Sequence, residues 1–427
     1  MNSGLNEGTP PRGRGLEIHA SKRAIPSLFR WISVWGTGLL VMLADTDAGN
    51  VVTAAQAGTQ WGYRLLPLLL LLIPVLYVVQ ELAVRLGIYT GRGHGELIRE
   101  QFGAGWAWLS AAGLAVATIG SLITEFTGIA GIGEVYGLSR SLTLPLSTVI
   151  LLIVVATGSY RRVERTALLI GSFELVFFGI AWAAHPHWGT VAHHAIDLPL
   201  GNHEFTYLAA AVIGAVFNPW MIFYQQSATV DKQLKAVDLK AARWDTGIGA
   251  MLTQCLTGAV LIAVAAMSSG HAPSSLASVG EISRVLSPIL GEGLGRLVFS
   301  VGVLGASLVA AIVSSLALTW GVGEVAGYQR SLACRPFKAK WLYGVYAACV
   351  MGAALIVWGV PDLVWLNIAT QVLNAFLLPL VMGFLVLLAV KSLPEPVRLR
   401  GGYLWLTVGI TATVSVLGLF GGISGFF

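Results

Sequence analysis

Between residues 31 and 422 we read eleven apolar stretches separated by short charged segments, each long enough to cross lipid as a helix, which takes about 20 residues. They run near 31–57, 65–84, 106–131, 142–158, 166–184, 206–229, 246–268, 297–323, 341–359, 363–390 and 402–422. Such a succession leaves few folds open, because every backbone polar group in hydrocarbon must be satisfied within the protein. The expected fold class is all-α and integral to the membrane, with eleven transmembrane helices in one domain, 30–427, behind a polar tail, 1–29. Composition excludes the rest. Only 11% of the 427 residues are charged, against about a quarter in soluble domains. Mean hydropathy is +0.75 over the whole length, so neither a soluble enzyme nor a soluble domain on a single anchor fits.

Charge sets the expected orientation. With the tail in the cytoplasm, 22 of the 26 Lys and Arg fall on cytoplasmic segments and only Arg64, Arg140, Arg284 and Arg296 lie outside, as the positive-inside rule requires. The N-terminus is then cytoplasmic and the C-terminus outside the cell membrane. The loop from His185 to Glu204 carries no Lys or Arg and falls outside. The net charge of +5 reads as topological anchoring, so no nucleic acid partner is expected. No removable signal peptide is expected either. Cys255, Cys334 and Cys349 are too few and scattered for a disulfide framework. His185, His187, His193, His194, His203 and His271 read as solvated outer-loop residues.

Two stretches, the first and the sixth, carry a helix-breaking defect midway. The first contains Asp45-Thr46-Asp47-Ala48-Gly49-Asn50, two carboxylates at membrane depth, where each costs roughly 2.5 to 3.5 kcal/mol by insertion scales. The sixth contains Gly214-Ala215-Val216-Phe217-Asn218-Pro219-Trp220, in which Pro219 removes a donor and pushes Asn218 out of helical geometry. Paired breaks in corresponding positions of two halves mark a transport site. The halves are five stretches each, 30–184 and 206–390, the second inserted upside down, with 402–422 an appendage.

At the breaks Asp47 offers a carboxylate and Asn50 and Asn218 offer amide oxygens, while unwinding near Ala44 and Ala215 exposes carbonyls. Gln371, followed by Asn374 in the tenth stretch, either completes the set or makes an interhelical hydrogen bond. Oxygen donors suit hard cations such as Mg, Ca and Mn, whereas softer metals take His, Met or Cys. Met221 lies past the break, and Trp220 alone offers little to an organic cation.

The run Asp47-Ala48-Gly49-Asn50, then Gln56-Ala57-Gly58, Arg85-Leu86-Gly87, Thr90-Gly91 and Glu96, resembles the first two helices of the NRAMP family of divalent-metal transporters, whose first motif is Asp-Pro-Gly-Asn. The resemblance spans nearly the whole chain and implies a LeuT-type 5+5 inverted repeat with helices 1 and 6 broken. Its departures are informative. Asn218-Pro219-Trp220 stands where the family has Met-Pro-His, a hard amide for a soft thioether. The family's two sixth-helix histidines fall on Trp220 and Gln225, and the proton-path acid of the third helix falls on Leu122, although Glu125 is kept. This combination resembles the prokaryotic NRAMP-related magnesium branch.

That resemblance implies ion binding by Asp47, Asn50, Asn218, Gln371 and the carbonyls of Ala44 and Ala215, in a widened cavity. It implies uptake of Mg or Mn by alternating access, without proton coupling and with no cofactor. Divalent metal ions and the lipid bilayer are the only partners implied. Asp45, Glu125, Trp220 and Gln225 fall on the expected permeation path, with a structural salt bridge as the other reading of Asp45; Glu81, Glu134 and Glu174 are the other acids in or near spans. The rival readings are a proton-coupled Mn or Fe importer using Glu125, and an amino-acid or amine transporter of the same architecture, which Asp47 disfavours. An enzyme is not expected, because the spans hold no nucleophile and base pair.

Overall fold

The structure is a computed structural model that describes residues 34–156, 160–269, 275–276, 278–328, 340–360 and 362–425. The tail at 1–29, Cys334 and His271 lie outside the described residues. The described elements are helical throughout. They are α1 (Thr37–Asp45), α2 (Ala48–Trp61), α3 (Leu66–Thr90), α4 (His94–Phe102), α5 (Ala104–Val135), α6 (Arg140–Ala156), α7 (Tyr160–Gly171) and α8 (Val176–Ala183). After these come α9 (Trp188–Ile196), α10 (His203–Val216), α11 (Pro219–Asp231), α12 (Leu239–Ser268), α13 (Val279–Leu286), α14 (Glu292–Ala326), α15 (Lys340–Gly359), α16 (Leu363–Lys391) and α17 (Gly401–Ser424).

By length and apolarity, 8 described segments can cross a membrane, and α6 and part of α15 are shorter apolar helices. With the broken pair α1 and α2 they occupy every stretch read from the sequence. The outer surface is what lipid requires: Trp182, Trp405 and Phe420 are 81%, 74% and 65% exposed, an arrangement a protein in water rarely keeps. Several elements were not legible as such. The segment after α3 folds into α4, the segment between α8 and α10 contains α9, and the fifth stretch is interrupted by a 3-10 turn at Ser172–Leu175 between α7 and α8. The seventh begins at Leu239 rather than near 246, so Arg243 and Asp245 ride on its first two turns.

Both predicted breaks are present, and local chemistry explains them. Asp47 is extended (φ −74°, ψ 175°) and caps α2, its carboxylate accepting from the Asn50 N–H at 2.7 Å, a favoured N-cap arrangement. Asn218 is extended (φ −64°, ψ 127°) with Pro219 at the first helical position of α11, where a missing N–H costs nothing. Helix α10 packs closely on α16 and α17, α12 on α1, α2 and α3, and α14 on α5. The two breaks therefore meet at the centre, flanked by α5, α12 and α16.

Candidate ion site at the helix breaks

The site is built from the two breaks upward. Unwinding frees the Asp45 and Ala215 carbonyls, and the Asn50 amide takes both, donating Nδ2 to Asp45 O and, at 3.2 Å, to Ala215 O. The first-helix carbonyl engaged is thus Asp45's, one residue beyond Ala44. Asn218 donates Nδ2 to Ala215 O at 2.9 Å, and its side chain makes no cap bond to α11. It accepts instead, through Oδ1, from Asn374 Nδ2 at 2.5 Å. Asn374 also donates to Gln371 Oε1 at 3.0 Å, one turn back along α16. Asp47, Asn50, Asn218, Gln371 and Asn374 thereby form one cluster, each at most 2% exposed.

Close backbone approach makes the cluster possible. A Cβ on Gly49 would sit 1.8 Å from Gln371 Nε2, and one on Gly214 would sit 1.8 Å from the Gln371 carbonyl oxygen. The first neighbour is a side-chain end that can swing away; the second is backbone. Gly214→Ala is therefore expected to force α10 from α16 at a cost of about 1 to 3 kcal/mol, read as a lowered unfolding midpoint in detergent with loss of uptake. An unchanged midpoint would show that the contact is not a packing constraint.

Several polar atoms here have no partner although fully buried: Asp47 Oδ2, Asp45 Oδ1, Gln371 Nε2 and Asn374 Oδ1. Such atoms are costly to leave unmade. Glu125 supports the site from α5, its Oε2 accepting from the Ala48 N–H at 3.2 Å and its Oε1 from Thr124 at 3.1 Å. The amino end of α2 therefore receives two carboxylates, Asp47 and Glu125, where its exposed N–H groups and dipole favour negative charge. Asp45 has no ionic partner among the described residues; its Oδ2 accepts from Thr253 at 3.4 Å. Trp220 and Gln225 are buried in α11, but Trp220 Nε1 and Gln225 Oε1 have no partner and reach none of the five cluster residues. Asn374 is the residue sequence reasoning undervalued. Its signal was the i, i+3 spacing from Gln371, which places two amides on one face of α16.

The space beside the cluster is small. A cavity of about 10 Å³ lies against Asn218, lined by Gln80, Phe217, Ile222 and Met382 among others, room for about one water. The widened cavity implied by the resemblance is not seen in this conformation, because the amides have closed on one another. At one face, Asp245 accepts from the N–H groups of Gly36, Gly38 and Leu39 at 3.2, 2.6 and 3.3 Å. Lys232 donates to the Val34 and Trp35 carbonyls at 3.2 and 2.9 Å and pairs with Glu164 at 2.9 Å. This clamp holds the start of α1.

At the other face α9 lies over the α2–α3 turn. Arg64 pairs with Asp197 at 2.5 Å, which holds that carboxyl below its usual range, and His194 Nδ1 accepts from the Tyr63 N–H at 3.3 Å. Burial first, and then the Arg64 charge, push the His194 imidazole below its usual 6.5. The neutral ring is the accepting form, so this contact is fully present above about pH 6.5 and is lost as pH falls through the lowered value. Hydrogen-exchange protection of the Tyr63 amide is expected to fall severalfold on acidification below 6.5, and to be low at every pH in His194→Ala. Protection independent of pH would sink that reading.

Two helices broken at mid-span and meeting at the centre of the bundle define a class, the multi-pass membrane transporter. The chain belongs to the natural resistance-associated macrophage protein-like (Nramp) family, whose model matches residues 38–424. Among curated relatives, the divalent metal cation transporter MntH of Burkholderia ambifaria is 25% identical over 406 residues, covering 90% of this chain and 86% of that one. MntH 1 of Pseudomonas aeruginosa is 31% identical over 287 residues, 64% of each. Among solved structures, the manganese transporter of Eremococcus coleocola superposes with a TM-score of 0.72 at 18% identity, over 94% of this chain and 89% of that one. MhsT bound to L-phenylalanine superposes with a TM-score of 0.60 at 14% identity, over 91% and 98%. Both likenesses show the fold.

Proposed function

We propose that this chain is a divalent metal cation transporter that carries Mg, and also Mn, into the cell by alternating access without coupling to protons. Its curated relatives are divalent metal cation transporters, and none of the comparisons points to an enzyme. The observation that carries the Mg reading is Asn218. Its side chain is turned away from the helix it begins and toward Asn374 and Ala215 O, so the position offers a hard amide oxygen where the family pattern has a thioether. An amide and carboxylate set favours an ion that prefers oxygen and gives up water reluctantly.

The orientation that follows from charge places the α1 clamp at the cytoplasmic face and α9 outside. Entry is then driven by the ion's gradient and the membrane potential, a divalent charge gaining about 4.6 kcal/mol per 100 mV. Eleven crossings complete the topology. A second reading, proton-coupled Mn import, draws on Glu125, whose carboxylate meets the α2 terminus beside Asp47. Uptake into proteoliposomes separates the two. Mg and Mn entry without internal acidification is the expected result, and Mn or Fe entry with acidification and no Mg entry overturns it.

A further inference from the structure

Four acids lie at membrane depth with no exposed surface: Asp45, Asp47, Glu125 and Glu174. Among the described residues none of the four forms an ion pair with a Lys or Arg. Buried carboxylates are tolerated when something offsets their charge. Asp47 and Glu125 share the amino end of α2 and would be offset by one transported divalent ion. Asp45 and Glu174 remain.

Glu174 stands on the 3-10 turn that interrupts the fifth stretch, a local departure that often marks a functional position. Neither of its carboxylate oxygens has a hydrogen-bond partner, and neither does Asp45 Oδ1. The Thr46 hydroxyl faces Glu174. Thr46 Oγ1 meets Thr253 Oγ1 at 2.7 Å, and Thr253 in turn reaches Asp45 Oδ2. Two carboxylates and two hydroxyls from α1, its hinge residue Thr46, the 3-10 turn and α12 are therefore linked in one small region beside Asp47.

We propose that Asp45 and Glu174, with the hydroxyls of Thr46 and Thr253, hold a second hard divalent cation beside the Asp47 site. The donor set is all oxygen, as Mg and Mn prefer, and its two formal negative charges match one divalent ion. The inference rests on the divalent-carrier reading above, and it adds a second ion to it.

The test is metal counting on the full-length protein in detergent, with Mn as the probe: equilibrium dialysis for stoichiometry, and paramagnetic resonance for broadening between neighbouring ions. The wild type is expected to bind two Mn per chain, with mutual broadening. Glu174→Gln and, independently, Asp45→Asn are each expected to bind one, unbroadened, the retained ion reporting that the fold survives. One Mn per wild-type chain overturns the second site and leaves the carrier reading intact, the two acids then being offset by protons. Two Mn that persist in both variants place the second ion elsewhere and also overturn it. No Mn at all overturns the carrier reading itself.

Discussion

Asp47→Asn is expected to give a folded protein that no longer binds or moves its metal. Asn caps a helix as well as Asp, so the bond to the Asn50 N–H that organises the start of α2 survives. What disappears is one unit of negative charge at a site with no exposed surface. Two unit charges 4 Å apart interact by about 4 kcal/mol at an effective dielectric constant of 20, and the ion carries two. A loss of metal affinity of about 100-fold or more is expected, measured by calorimetric titration of Mn into purified protein, with uptake at background. The unfolding midpoint should stay the same or rise, because the variant removes a buried carboxylate oxygen that has no partner. Retained affinity in the variant would mean that Asp47 is only a cap, with the ion held elsewhere.

Asn218→Met has the second largest expected effect, and it changes preference rather than activity. The amide both donates to Ala215 O and accepts from Asn374. Methionine does neither and offers a soft sulfur in place of a hard oxygen. Mg uptake is expected to fall about 10-fold while competition by Cd or Fe rises by a similar factor, each tenfold step being about 1.4 kcal/mol. Removing one of the two acceptors of Asn374 costs about 1 to 3 kcal/mol of stability, so the variant is also expected to express less. The ratio of Cd to Mg inhibition does not depend on how much protein is folded, which makes it the deciding measurement. A ratio unchanged from wild type would remove Asn218 from the ion's surroundings.

Much of this architecture is legible in the sequence because the bilayer admits so few solutions. Apolar length gave the spans, and residues that cannot continue a helix, Asp47 with Gly49 and Asn218 with Pro219, gave both breaks at their observed positions. The pieces that escaped notice are those in which water or a long-range contact decides. Helix α9 is short and polar enough to pass as loop, and it is fixed over the bundle by Arg64 and His194. Asp245 reads as a charge outside a span until the fold brings α1 against it, more than 200 residues away in sequence. The 3-10 turn at Glu174 carries no proline or paired glycine to announce it. The convergence of Asn374 with Asn218, 156 positions apart, is likewise a product of packing.

The clamp on α1 has a mechanical consequence. This half-helix has 9 residues, about 13 Å at 1.5 Å per residue, and it joins the donor cluster through the unwound joint at Thr46 and through the Asn50 amide on the Asp45 carbonyl. It is a lever pivoted beside its cargo. A tilt of about 20° moves the far end by about 4 to 5 Å, enough to pull Gly36, Gly38 and Leu39 off Asp245 together, while Asp47 and Asn50, on the other side of the pivot, hardly shift. On the proposed transport role, the latch at Asp245 would release before the donors separate, so its strength, rather than the affinity of the donor cluster, would set how often this end of α1 swings.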